Sequence, residues 1–161
     1  MFFFKKKELV ETFFSTSNGE IVDLSSVEDA VFSQKMMGDG FAVRPSDDAV
    51  YSPVSGTIMG VFPTKHAITI ESDQGLEILI HMGINTVELN GEPFEVLVSE
   101  GQKVTEQTQL ATMNLAMLAE KEVLSDIMVI ITNQDKVKEQ VIPAQKNVKA
   151  MDKIGTVTVN K

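Results

Sequence analysis

The stretch FPTKHAITIESDQGLEILIHMGI, residues 62–84, contains two strand-like runs and both histidines of the 161-residue chain. The runs at 66–70 and 76–82 are rich in β-branched and other apolar residues. Between them, Ser-Asp-Gln-Gly at 72–75 has the composition of a turn. The pattern predicts a β-hairpin, and this hairpin decides where His66 and His81 lie.

The length of the hairpin loop sets the relation between the two histidines. A two- or four-residue loop places His66 directly opposite His81, with Cβ atoms about 5 Å apart. Two imidazoles at that distance can share one small ligand. A three-residue loop shifts the register by one residue and places the side chains on opposite faces.

The rest of the chain shows the same alternation of short strands and turns. Further strand-like runs occur at 50–51, 56–59, 94–98 and 127–132, and Gly, Asp, Asn and Pro separate them. Helical spacing is confined to residues 5–14 and 115–124, with a short turn near 27–31. The sequence predicts an all-β, antiparallel sandwich or flattened barrel with a few short helical segments. We expect residues 1–161 to form one domain, with 1–15 as a candidate mobile segment.

Composition narrows the possible partners. The chain has 23 Asp and Glu against 14 Lys and Arg, a formal net charge of −9, which disfavours binding to nucleic acid. It has no cysteine, which excludes disulfides and thiolate metal sites and fits the cytoplasm.

The chain starts MFFFKKK, with its aromatic residues before its lysines, the reverse of a secretory signal. Residues 1–7 have the composition either of a weak contact with an anionic membrane surface or of a frayed terminus. With no membrane domain before Met1, we expect a free-standing protein, as a monomer.

Three chemistries are open to the histidine pair. One imidazole can take up a phosphoryl group while the other donates a hydrogen bond to it. Both can ligate a metal, although zinc needs more ligands than the spacing reveals. Both can also be ordinary packing residues. Thr64, two residues before His66, can fix its tautomer, and Gly83 can admit a ligand to the backbone; alternatively they are a strand former and a strand end.

Five segments then carry a family resemblance: VFSQKMMGDGFAVRP (31–45), YSPVSGTI (51–58), FPTKHAITIESDQG (62–75), LIHMGINTVELNGEPF (79–94) and EGQKVTEQTQL (100–110). Together they resemble the glucose-type enzyme IIA component of the bacterial phosphoenolpyruvate-dependent sugar phosphotransferase system. The similarity extends over residues 30–161. It implies a cytoplasmic β-sandwich of the duplicated hybrid motif type.

The resemblance implies a phosphoryl carrier that acts only with partner proteins. Such a carrier accepts phosphate from the phosphocarrier protein HPr and passes it to the IIB domain of a membrane sugar permease. By motif, His81 is the phosphorylated residue, His66 donates a hydrogen bond to the phosphoryl group, and Thr64 orients His66. Gly83 also matches. No cofactor is required, and zinc held by both histidines and a carboxylate is a secondary expectation.

The resemblance further implies a docking surface for both partners around His81. An apolar depression with carboxylates on its rim maps to these positions: Met36, Met37, Phe41, Phe62, Leu79 and Met82, with Asp39 on the rim and Asn85 beside them.

The chain departs from the family pattern at three places. Asn85 and Asn114 stand where Asp is frequent, and Ile127-Met128 stands where Thr-Pro is common. Asn85 removes a negative charge that can pair with a basic residue of HPr. The departures leave the sugar and the permease open, and they motivate an alternative: a regulatory binding protein of the same fold that transfers no phosphate.

Two other classes are disfavoured. Biotinyl and lipoyl carrier domains have similar hairpins, but they need a lysine that residues 112–115 lack. A zinc peptidase needs three strong ligands and an open water position, and this chain has only two histidines.

Overall fold

The computed structural model of the protein describes residues 8–160. Short antiparallel strands make up most of its regular secondary structure. In chain order they are β1 (Leu9–Phe14), β2 (Gly19–Val22), β3 (Gly40–Pro45), β4 (Ala49–Tyr51), β5 (Gly56–Val61), β6 (Ala67–Ser72), β7 (Glu77–Met82), β8 (Phe94–Val96), β9 (Lys103–Val104), β10 (Gln109–Met113), β11 (Ile127–Ile131), β12 (Val137–Val141), β13 (Gln145–Val148) and β14 (Lys153–Val159).

The helices are short. They are α1 (Ala30–Ser33), α2 (Leu115–Glu120) and 3-10 helices at Leu24–Ser26, Thr86–Leu89 and Gln134–Lys136. The helix predicted over 115–124 is present in shortened form as α2. The turn predicted near 27–31 begins after the first 3-10 helix and continues into the start of α1. None of the helices in residues 8–160 has the length and apolar content that a membrane crossing requires.

The strands form three sheets. Eight strands build the largest sheet in the order β13-β2-β3-β11-β7-β6-β5-β9, and two three-stranded sheets have the orders β1-β14-β12 and β4-β10-β8. All recorded strand pairs are antiparallel. The predicted all-β antiparallel fold is therefore confirmed, as open sheets rather than a closed barrel.

The predicted hairpin forms, but in a different register. Ser72 and Leu76 pair at the end of β6 and β7, where the Ser72 N–H donates to the Leu76 carbonyl over 2.8 Å. The loop thus has three residues and ends at Gly75, whose φ is +91°. In this register Ala67, not His66, lies opposite His81. The directly opposed arrangement, which a two- or four-residue loop would give, is therefore not formed.

The N-terminal region also differs from its prediction. Of the helix predicted over 5–14, the described part is strand β1, which pairs with β14. Glu11 and Phe13 are buried there at two-residue spacing. Burial in β1 therefore follows the two-residue period of a strand. Pairing with β14 has overridden the apparent helical spacing. Residues 1–7, for which a membrane contact was considered, lie outside the described residues.

Two apolar clusters cover the two faces of the large sheet. The larger fills the space between the sheets and includes Phe13, Phe41 and Met82. The smaller lies under the segment that contains the first 3-10 helix and α1, and it includes Phe32, Leu79 and the following residues: Val22, Leu24, Val27, Ala42, Ala67, Ile84, Met128 and Ile130. The smaller cluster is the one on which the histidines lie.

Candidate active site

His81 lies near the end of β7, in the middle of the large sheet. Its cross-strand neighbours are Ala67 on β6 and Met128 on β11. The ring of Phe32, from α1, packs on the imidazole with ring centroids 4.9 Å apart. Burial against these side chains, with the neighbouring His66 imidazole as a second cause, lowers the pKa of His81 to about 4. His81 is therefore a neutral imidazole at pH 7.

A backbone carbonyl fixes the tautomer of His81. Its Nδ1 lies 2.9 Å from the Gly83 carbonyl oxygen. A carbonyl only accepts hydrogen bonds, so in the neutral ring Nδ1 carries the proton and Nε2 carries the free lone pair. The nucleophilic nitrogen of His81 is thus Nε2.

His66 lies one residue before β6, at a bend that follows Lys65, whose φ is +60°. Its side chain is 5% exposed, and burial lowers its pKa. The carbonyl of His66 accepts the Met82 N–H over 2.7 Å, which joins the bend to the end of β7. The alternation of faces applies only within a strand, so the register shift does not send the two histidines to opposite faces.

Thr64 contacts the His66 ring directly. The Thr64 hydroxyl oxygen lies 2.6 Å from His66 Nδ1. When the hydroxyl donates to Nδ1, the His66 proton is on Nε2, and Nε2 is then a hydrogen-bond donor. The sequence placed Thr64 beside His66 on one strand face, whereas the contact occurs within a turn.

The two imidazoles are in contact. Their ring centroids are 4.9 Å apart and their planes meet at 73°. Phe62 packs edge-on against His66, with centroids 5.4 Å apart. Apolar rings thus enclose the pair, and within residues 8–160 no group of three or more His, Asp and Glu side chains is arranged to hold a metal ion.

Gly83 has a structural requirement of its own. Its φ is +82°, and a Cβ there would lie 2.4 Å from Thr86 Cγ2 and 3.2 Å from the Leu124 carbonyl oxygen. Strand β7 ends one residue earlier. Gly83 therefore marks the end of the strand, and it also presents the carbonyl that His81 needs.

The residues predicted to dock partners divide by exposure. Met36 is 69% exposed, Met37 and Phe62 are also exposed, and Asn85 is exposed at a left-handed position with φ +59°. Asp39 is partly exposed and pairs with Lys35 at 3.5 Å. These residues remain candidates for docking.

Three of the predicted docking residues are in the core. Phe41 is 2% exposed and Met82 is fully buried, because both point into the space between the sheets. Leu79 is 5% exposed because the segment with α1 covers it. The prediction that these three residues face a partner was wrong.

Other residues of the site had not been singled out in the sequence. Phe32 contacts His81 from α1, and the exposed side chains of Val31, Val87 and Leu124 are close in sequence to residues of the site. The Asp29 carboxylate caps α1 by accepting the Val31 N–H over 2.9 Å. This N-cap was the available signal, because Asp just before an apolar run indicates a helix start.

Comparison with known proteins identifies the family of the chain. A sequence model of the family described as phosphoenolpyruvate-dependent sugar phosphotransferase system, EIIA 1, matches residues 11–137. The chain belongs to this family. The resemblance noted from the histidine motifs is thereby confirmed, and the matched range contains both histidines and Thr64.

Individual relatives support the assignment to the EIIA 1 family. The chain is 43% identical over 145 residues to a glucose-specific EIIA component of Staphylococcus aureus, covering 88% of this chain and 86% of the relative. It is 47% identical over 132 residues to a glucose-specific EIICBA component of Streptococcus pneumoniae, covering 82% of this chain but 18% of that longer protein.

A solved structure agrees over nearly the whole chain. Glucose permease IIA from Mycoplasma capricolum superposes with a TM-score of 0.83 at 34% identity, over 96% of this chain and 99% of that one. The EIIA fold is therefore shared beyond the segments that carry the motifs.

Proposed function

We propose that the protein is a phosphoryl carrier of the sugar phosphotransferase system, with His81 Nε2 as the acceptor atom. It takes the phosphoryl group from phospho-HPr and passes it to the IIB domain of a membrane sugar permease, acting in the cytoplasm. The observation that carries the proposal is a neutral His81 imidazole whose free Nε2 is defined by the Gly83 carbonyl, with a second imidazole in contact.

The transfer step conserves the proton on Nδ1. The Nε2 lone pair attacks phosphorus, the bond from phosphorus to the donor atom of phospho-HPr breaks, and its electron pair returns to the donor. The phosphorylated His81 ring keeps its Nδ1–H and carries a positive charge, which the Gly83 carbonyl stabilises. In the onward step the ring leaves as neutral imidazole, so no proton has to move.

His66 and Thr64 act on the transferred group rather than on the nucleophile. With Thr64 donating to Nδ1, His66 Nε2–H is available to a phosphoryl oxygen, where negative charge is concentrated. The burial of His66 strengthens this hydrogen bond, since little water competes for the donor.

The names of the relatives indicate which sugar to test first. The relatives from Staphylococcus aureus, Streptococcus pneumoniae and Mycoplasma capricolum all have glucose in their names. We therefore propose a glucose permease as the first IIB partner to test.

Intact-protein mass spectrometry tests the carrier role. The protein is incubated with phosphoenolpyruvate, enzyme I and HPr, beside His81→Ala, at neutral to alkaline pH that preserves phosphohistidine. We expect one added phosphoryl group that is acid-labile and absent in His81→Ala. Equal labelling of His81→Ala would refute the assignment of the acceptor.

The variants of His66 separate acceptance from onward transfer. His66→Ala is expected to accept the phosphoryl group but to pass it to a IIB domain about 100-fold more slowly. His66→Gln retains an N–H donor and is expected to recover part of that rate.

If a well-folded wild-type protein gains no mass in the mass-spectrometry experiment, the regulatory alternative replaces the carrier role.

A further inference from the structure

Arg44 is the only arginine in the chain, and its guanidinium contacts two different segments, the residue before β11 and the 3-10 helix that precedes α1. It lies on β3, one residue beyond Val43, which pairs with Ile127 of β11. Its Nε lies 3.5 Å from Asp126 Oδ2, and its Nη2 donates to the Ser26 carbonyl over 3.3 Å.

Asp126 is connected through backbone hydrogen bonds to the turn that fixes the tautomer of His81. Asp126 is 8% exposed, and its carbonyl accepts the Gly83 N–H over 2.8 Å. Two residues earlier, the Leu124 carbonyl accepts the Ile84 N–H over 3.0 Å. These bonds hold the turn whose Gly83 carbonyl binds His81 Nδ1.

The buried Asp126 carboxylate depends on a counter-charge. Burial raises its pKa and the Arg44 guanidinium opposes that rise, while Glu28 adds a further negative charge nearby. A buried carboxylate that loses its cation is strongly unfavourable, so the segment that contains it moves or takes up a proton. Arg44, whose side chain is 46% exposed, is the cation that pairs with Asp126 in residues 8–160.

Ser26 belongs to the segment that covers His81. Ser26 ends the 3-10 helix that precedes α1, and α1 provides the Phe32 ring that packs on His81. Leu24, Val27 and Phe32 are buried together on the sheet face of His81. Arg44 therefore joins the covering segment to the strand end beneath it.

We propose that Arg44 is a positioning residue for His81, which fixes the acceptor ring by holding the Asp126–Gly83 turn and the Phe32 segment against each other. The proposal rests on the proposed carrier role of His81. It predicts that both arms of the guanidinium matter, which a lysine at this position cannot reproduce.

The first readout does not require phosphoryl transfer. The His81 ring is observed by long-range ¹H–¹⁵N NMR of the unphosphorylated protein, with the two histidines distinguished by His81→Ala. In Arg44→Met we expect the Nδ1–H tautomer of His81 to lose its dominance and the His81 pKa to move toward 6.5. Arg44→Lys keeps the positive charge but lacks the several N–H donors of the guanidinium. It should shift the tautomer population and the pKa of His81 in the same direction, by a smaller amount.

The second readout is the rate of acceptance from phospho-HPr. Because positioning errors affect the chemical step, Arg44→Met should lower the maximal rate about tenfold with little change in the HPr concentration for half-saturation. The matched control is Lys121→Met, which removes a surface ion pair to Glu92 of the same 3.5 Å length. It is expected to leave both readouts unchanged.

The outcomes separate this proposal from the carrier role. Arg44 variants whose His81 ring signals match those of Lys121→Met would overturn the positioning role. If Arg44→Met does not fold, Arg44→Lys decides, and a wild-type ring in Arg44→Lys also overturns it. A wild-type protein that accepts no phosphoryl group refutes the carrier role, whereas the ring signals still decide the role of Arg44.

Discussion

His81 combines two properties that a phosphoryl acceptor needs, and neighbouring groups impose both. Burial under Phe32 keeps the ring neutral, because desolvation penalises the imidazolium ion. The Gly83 carbonyl assigns the remaining proton to Nδ1. A solvent-exposed histidine would instead be partly protonated near pH 6.5 and would populate both tautomers.

The low pKa of His81 predicts a pH dependence of stability. Between pH 6.5 and about 4 the unfolded chain binds a proton at His81 that the folded protein does not. The contribution of His81 to the free energy of unfolding is therefore full above pH 6.5 and falls as the pH drops to about 4. Direct NMR titration of the ring should give a midpoint near 4.

A difference measurement isolates this effect in denaturation. Glu11 and Asp126, whose pKa values burial raises, shift stability in the opposite sense as the pH falls. Urea unfolding of the protein and of His81→Gln is therefore compared at pH 7.5 and pH 5. We expect the wild type to lose more stability than His81→Gln, and equal losses would contradict a lowered pKa.

At the residue scale, the sequence predicted which residues belong to the site better than it predicted what surrounds them. His66, His81, Thr64 and Gly83 were identified from spacing and motif, and the structure brings them together. The docking residues were assigned by motif and not by the alternation of strand faces, and Met82 shows the resulting error. Met82 follows His81, but the alternation of strand faces turns it into the core between the sheets.

At the scale of elements, the hairpin shows why register is hard to predict from sequence. Ser-Asp-Gln-Gly permits loops of two, three or four residues, and the structure has three, ending in a left-handed Gly75. The bend at Lys65 then compensates for the shifted register by releasing His66 from the strand. The apolar pattern predicts neither the loop length nor the bend. The left-handed backbone of Lys65, a non-glycine residue with φ +60°, is imposed by its tertiary contacts.

The turn that ends β7 should be intolerant of any side chain at Gly83. Alanine there adds the strain of φ +82° to a Cβ placed 2.4 Å from Thr86 Cγ2. We expect Gly83→Ala to lower the free energy of unfolding by about 3 kcal/mol, combining roughly 1 kcal/mol of backbone strain with about 2 kcal/mol of overpacking. Urea denaturation measures the loss.

Two variants separate strain from crowding. Gly75 has a similar φ of +91° with no atom within 4 Å of its Cβ position, so Gly75→Ala should cost about 1 kcal/mol. Adding Thr86→Ser to Gly83→Ala removes the clashing methyl and should recover part of the excess. Equal losses at Gly75 and Gly83 would show that crowding by Thr86 does not contribute.

At the scale of the whole molecule, charge and apolar surface have different roles in docking. The exposed side chains of Val31, Met36, Met37, Phe62 and Val87 provide apolar area on segments next to the histidines. The protein has a formal net charge of −9, which affects how fast a basic partner approaches. Composition gave the charge, whereas the proposed partners, HPr and a IIB domain, come from the family.

Asn85 is the position where one added charge should matter most. It is exposed at φ +59°, a conformation that Asp also adopts readily, and its side chain makes no capping hydrogen bond. Asn85→Asp therefore adds a negative charge near His81 without removing a contact. We expect transfer from phospho-HPr to become roughly two- to threefold faster at low salt, the value of one exposed ion pair, with the gain largely lost at 1 M salt.

Asn147→Asp is the matched control for the effect of position. Asn147 is also exposed and left-handed, with φ +56°, and it lies on the edge strand β13, which three strands of the large sheet separate from β7. The two variants have the same net charge, so a general attraction to HPr would accelerate both equally, whereas a pair formed at the rim of the site accelerates only Asn85→Asp. Rapid-quench measurements of the transfer rate from phospho-HPr, at low salt and at 1 M salt, distinguish these two explanations. Equal rates in both variants would mean that the charge of the whole molecule, and not residue 85, governs the encounter with HPr.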